Sequence, residues 1–173
     1  QLADVSFGKT HPATLALKTR HGECWSRQED WSKAATAYQQ ALACAEAAGD
    51  EGAVAKLSYE LARVLYMKGD LAASKPFAEQ VVKLLLPKFW DRGAIVGSDV
   101  APLGLESLHL LAQLYESIVF RGWEASKKGC GVWSGAVTME LIDRTIRCYE
   151  NYLRHLSLEN VPRASGLTRP AEV

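Results

Sequence analysis

The 173-residue chain has no excess charge of either sign, since 20 Lys and Arg balance 20 Asp and Glu. That balance argues against a binder of nucleic acid or acidic membrane, which needs a basic stripe to meet phosphates. Long apolar runs are missing too. They reach only a handful of residues, as at Val81-Val82 and Leu84 to Leu86, against about 20 for a membrane-spanning helix. Residues 1–17 lack a basic start followed by a continuous apolar stretch, so no signal peptide is expected. A first residue of Gln rather than Met points to a fragment or a processed chain. Cysteine is sparse, and Cys24, Cys44, Cys130 and Cys148 lie far apart instead of crowding into short loops. That usage predicts reduced thiols in an intracellular, cytoplasmic protein. His21 and Cys24 share one helix face, but no second pair at zinc-like spacing accompanies them, so no metal site is expected.

Catalytic signatures are absent as well. There is no nucleophile motif, P-loop, dinucleotide fingerprint or His-Glu zinc helix. The four histidines at 11, 21, 109 and 155 are scattered. Lys127-Lys128 beside Gly129-Cys130-Gly131 reads as a hairpin tip with solvated lysines rather than a phosphate or reactive-thiol loop. The chain is expected to be no enzyme and to need no cofactor.

Helical periodicity is what the sequence does have. Residues 14–48 predict a helix pair broken near Gln28 to Asp30, its second half crowded with Ala, the best helix former. Gly49-Asp50 and Gly69-Asp70 then read as helix stops followed by N-caps, bounding a helix over 51–68. The fourth helix contains Pro76, so either Ser74 is its effective N-cap or a kink lies there. It ends before Pro87. A loop follows over 88–102, then a helix over 103–126 with Leu108, Leu111, Ala112, Tyr115 and Val119 on one side. A Gly-rich break leads to a last helix over 137–156, with Leu141, Ile142, Thr145, Tyr149, Tyr152 and Leu153 inward. This divides the chain into an extension at 1–13, a helical domain at 14–158 and a loose tail at 159–173.

A shift of 40 residues superposes Gly22 on Ala62, Trp25 on Leu65, Ala34 on Ser74 and Ala41 on Val81. Gly22 and Trp25, followed by Ala34, Tyr38 and Ala41, carry the small and aromatic residues of a helix-hairpin repeat. On these residues the chain resembles the tetratricopeptide repeat (TPR) family. Its interval of about 40 is similar to the extended repeat of kinesin light chains and Leu-Gly-Asn-repeat proteins. The second unit matches more loosely, with Phe77 one place before the expected aromatic. A third, degenerate unit runs from Leu111-Ala112 and Tyr115 to Tyr149 and Leu153, and its extra residues require longer helices or a large loop. The resemblance implies an all-α, right-handed superhelical array of about three antiparallel helix hairpins, the third carrying an insertion.

The resemblance also implies a binder of peptides or helical segments that uses the concave face lined by the first helix of each pair. Carried over position by position, that face gives Thr19 and Glu23 in the first unit. Lys56, Tyr59, Arg63 and Tyr66 follow in the second, and His109 and Gln113 in the third. Lys56 and Arg63 between tyrosines suit an acidic or carboxylate-bearing partner, because Arg binds carboxylate bidentately. Glu23 would repel the terminal carboxylate that chaperone-binding members clamp. The alternative function is a scaffold subunit that uses its convex face and the aromatic segments around Phe89-Trp90 and Trp133, with an empty groove. Neither reading includes nucleic acid or membrane insertion.

Overall fold

A computed structural model describes residues 11–90, 102–127 and 135–160. Residues 1–10, 91–101, 128–134 and 161–173 lie outside the described residues, as do the side chains of Lys88, Trp90, Ser126, 135–138 and 155–160. The expectations for the extension, the tail, Cys130 and the Trp90 and Trp133 side chains fall there.

The described residues form six α-helices and no strand: α1 (Pro12–Arg27), α2 (Trp31–Ala48), α3 (Glu51–Lys68), α4 (Leu71–Leu85), α5 (Pro102–Lys127) and α6 (Gly135–Asn160). A short 3-10 turn, Pro87–Trp90, follows α4. Each helix packs on the next in sequence, and α3 also reaches α5. The molecule is therefore an array of hairpins, as the repeat predicts.

One turn design is used three times. At Glu29-Asp30, Gly49-Asp50 and Gly69-Asp70 the first residue takes a positive φ, of 57°, 69° and 85°. The Asp backbone N–H then donates to Trp25, Ala45 and Leu65 carbonyls at 3.0–3.1 Å, closing the helix behind it. Each Asp Oδ1 accepts from the backbone N–H three residues on, at Lys33, Ala53 and Ala73, opening the next helix. Chain reversal and helix nucleation thus share one dipeptide. Glycine adopts the left-handed conformation without steric penalty, and Glu29 does not.

This geometry corrects the reading of α4. Its N-cap is Asp70, not Ser74. Ser74 lies inside the helix, fully buried, and donates its hydroxyl to the Ala62 carbonyl of α3 at 2.7 Å. Pro76 sits in the second turn, and the helical bond it cannot make would have gone to the carbonyl of exposed Ala72.

The core forms in two contiguous clusters. One joins Ala34, Tyr38, Ala41 and Ala45 of α2 to Leu57, Leu61, Val64 and Leu65 of α3. The other joins Ala62, Ala78, Val82 and Phe89 to Leu108, Leu111, Ala112, Leu114 and Tyr115 of α5 and to Leu141 and Cys148 of α6. Gly22 is where α1 meets α2: a Cβ there would fall 2.8 Å from Cδ1 and Cε1 of Tyr38. The helices approach so closely because one side contributes no side chain. The third hairpin absorbs part of its extra length in the helices, 26 residues each against 18 in α3 and 15 in α4. Leu153, expected inward, is 56% exposed, whereas Cys148, five residues earlier on the same helix, is fully buried.

Candidate partner-binding face

The face expected to bind a partner is built by α1, α3 and α5, the first helices of the three hairpins. In α1, Thr19 is half-buried and its hydroxyl donates to the Leu15 carbonyl at 2.9 Å. Glu23 lies near the Tyr38 hydroxyl, with Ser26 beside it and Glu60 and Arg63 across from α3. Burial raises the Tyr38 phenol above its ordinary value, and the Glu60 and Glu23 charges add to the rise while Ser26 opposes it.

In α3, Lys56 is exposed. Arg63 is already engaged: its Nε and Nη2 both donate to Glu60 Oε2, at 3.1 and 2.7 Å. Tyr59 and Tyr66 are half-buried and pack against the second core cluster, so they join the second hairpin to the third. Burial raises the Tyr59 phenol, and Glu106 of α5 raises it further. The Tyr66 hydroxyl meets Ser117 Oγ of α5 at 3.3 Å. In α5, His109 stacks on Tyr152 of α6, centroids 4.7 Å apart and rings 8° from parallel. Gln113 instead opens onto a groove.

That groove, about 660 Å³, runs between the end of α3 and the middle of α5. Tyr66, Met67, Gln113, Ser117, Phe120 and Arg121 line it, with Glu116 and Tyr149 at its side. Arg121 Nη1 donates to the Gly69 carbonyl at 3.0 Å, so the α3–α4 turn holds the guanidinium at the rim. Tyr149 donates to Glu116 Oε2 at 2.7 Å. Burial and that carboxylate push the Tyr149 phenol up to about 12. The structure thus brings Tyr66 and Gln113 together in one cavity and holds Arg63 and His109 in contacts of their own.

Met67, Phe120, Arg121 and Tyr149 were not among the binding residues expected from the sequence. Phe120 and Arg121 lie past the point where the equivalent α3 ends, so a position-by-position transfer had no counterpart for them. Tyr149 belongs to a second helix, and the repeat pattern assigns that helix to packing.

Of the remaining chemistry, Cys24, Cys44 and Cys148 are free thiols, the first exposed and the others buried. Burial pushes the Cys148 thiol up to about 12, against the lowering influence of Arg147 and Arg144. Among the described residues no group of three or more His, Cys, Asp or Glu could hold a metal ion. No helix among them is long and apolar enough to cross a membrane.

No protein-family model and no curated protein matches the chain. Solved structures do. The TPR domain of Arabidopsis FLU is similar, with a TM-score of 0.56 and 17% identity over 83% of this chain and 95% of that one. The nearly identical TPR-like repeats of a Podosopora anserina protein, described as a kinesin light chain, superpose with a TM-score of 0.55. There too the identity is 17%, over 88% of this chain and 63% of that one. With the hairpin array, the Gly22–Tyr38 crossing and the recurrent Asp-capped turns, these likenesses establish that the chain has the TPR-like fold.

Proposed function

We propose that the chain is a protein-interaction module that holds a peptide or helical segment of a partner along the face of α1, α3 and α5. The observation that carries this reading is the groove at Tyr66 and Gln113, which pairs apolar walls with polar groups fixed from behind. Met67 and Phe120 are 53% and 55% exposed, large enough to seat an apolar anchor. Arg121 at the rim and Lys56 further along α3 suit an acidic residue on either side of that anchor. Tyr59, Arg63, Thr19, Glu23 and His109 flank the path. Their packed contacts fix its shape before a partner arrives, which lowers the ordering cost of binding. The two similar structures are both TPR or TPR-like repeats, the kind of array that offers an extended concave surface.

The test is a displayed peptide library selected against the wild-type protein. Selected peptides are expected to lose affinity at least about tenfold for Gln113→Trp, which fills the groove, and for Arg121→Glu. Gln40→Trp, on the exposed outer side of α2, is expected to change nothing. Ligands that bind Gln113→Trp as well as wild type would place recognition elsewhere.

A further inference from the structure

Lys18 of α1 and Cys44 of α2 meet across the first hairpin, where Lys18 Nζ donates to Cys44 Sγ at 3.4 Å. The cysteine is 6% exposed and the lysine half-buried, so the pair sits at the edge of the hairpin, with the amine on the solvent side of the sulfur. The other described thiols are placed differently. Cys24 is exposed, and the cations acting on Cys148 are the guanidiniums of Arg147 and Arg144, which stay protonated and are poor nucleophiles. A lysine ammonium becomes a nucleophilic amine on losing one proton. Its nitrogen already lies from the sulfur at a distance within the range of about 3–3.5 Å at which reacting atoms are poised for attack. The position matters for the fold as well: α1 begins the array of described helices and packs mainly against α2, so it is held from one side only.

We propose that Lys18 and Cys44 form a reversible sulfur–nitrogen cross-link, a sulfenamide, when the protein meets hydrogen peroxide. Peroxide is little larger than water, so it reaches a sulfur that bulkier reagents do not. In the first step the Cys44 sulfur takes one peroxide oxygen: an S–O bond forms, the O–O bond breaks, and one water leaves. The thiol is thereby oxidised by two electrons to a sulfenic acid, and the peroxide is reduced. In the second step the neutral Lys18 amine attacks that sulfur. The N–S bond forms as the S–O bond breaks, and the departing hydroxide takes a proton from nitrogen to leave as a second water. The net change is one thiol, one amine and one peroxide to one sulfenamide and two waters. A dithiol reductant reverses it, giving back thiol and amine as it becomes a disulfide. The link joins residues 26 apart in sequence, and like a disulfide it withdraws freedom from the unfolded chain. It also pins α1 to α2, which suppresses the local openings to which a terminal helix is prone.

The test is to treat the full chain with hydrogen peroxide at mildly alkaline pH, where more of the amine is neutral, and to map peptides by mass spectrometry without reduction. Wild type is expected to yield a peptide pair joined through Lys18 and Cys44 and lighter by about 2 Da, the two hydrogens lost. Dithiothreitol should restore the separate peptides. Oxidised wild type should melt several degrees higher than reduced, with slower hydrogen exchange in α1. Lys18→Arg keeps the charge and the donors but has no neutral amine, and Lys18→Met keeps the apolar stem. Both are expected to fold, as their melting before oxidation checks, and to give sulfinic or sulfonic acid at Cys44 with no cross-link and no gain in melting temperature. A wild type that gives only those acids, or that leaves Cys44 unoxidised, would overturn the proposal. So would a reducible link at Cys44 that persists in Lys18→Arg, since that bond would be a disulfide.

Discussion

The contact of Gly22 with Tyr38 gives a prediction opposite to helix propensity. Gly22→Ala replaces the poorest non-proline helix former with the best in the interior of α1, a gain of about 0.5–1 kcal/mol where space allows. Space does not allow it here. The new Cβ would lie 2.8 Å from Cδ1 and Cε1 and 3.0 Å from Cγ of Tyr38, against about 3.5–4.0 Å for relaxed carbon contacts. The ring is 1% exposed within the first core cluster, so it cannot swing into water. The helices must part or the ring leave its rotamer, at about 1–3 kcal/mol. The net expectation is a loss of about 0.5–2 kcal/mol, read as a lower urea midpoint and a melting temperature down by a few degrees. Gly52→Ala is the control: that residue is exposed, the nearest atom is Asp50 Oδ1 at 3.5 Å, and the change should be neutral or stabilising by up to about 1 kcal/mol. In a Tyr38→Leu background the ring is gone, and Gly22→Ala should turn neutral or stabilising, a coupling that a double-mutant cycle measures. A Gly22→Ala protein as stable as wild type, or the same loss in both backgrounds, would refute the crossing.

Three further outcomes are expected. Glu29→Gly should stabilise the protein by about 0.5–1 kcal/mol in urea melts, because it removes a left-handed side-chain conformation, whereas Gly69→Ala should do the reverse at its φ of 85°. Native alkylation followed by mass spectrometry should modify Cys24 quickly and spare Cys44 and Cys148 until unfolding, since burial denies the reagent access to both and also raises the Cys148 thiol. The Tyr115 phenol is raised above its ordinary 10.0 by burial and then by Glu79, whose Oε1 accepts its hydroxyl at 2.6 Å. The unfolded chain therefore ionises first: this contribution is fully present below pH 10.0 and is lost as pH climbs above it. Tyr115→Phe should flatten that alkaline loss while costing about 1–2 kcal/mol at neutral pH through the missing hydrogen bond.

Gly49-Asp50, Gly69-Asp70 and Glu29-Asp30 determined by themselves where α1, α2 and α3 end and where α2 and α3 begin, because positive φ and N-capping are local properties of two or three residues. The spacing of Gly22, Trp25, Ala34, Tyr38 and Ala41 likewise determined the hairpin array, since small residues at a helical period permit only a close crossing. Other features depended on partners distant in sequence. Whether Ser74 caps α4 or sits within it turns on the Ala62 carbonyl twelve residues earlier. Leu153 stays exposed and Cys148 is buried because the approach of α6 to α5, not helical period, selects the inward face. Arg63 is paired with Glu60 and His109 is stacked on Tyr152, so a stripe that is uniform in sequence becomes uneven in space. The groove at Tyr66, Gln113 and Arg121 exists only once α5 lies against α3, because a cavity belongs to the gap between helices and no single segment encodes it.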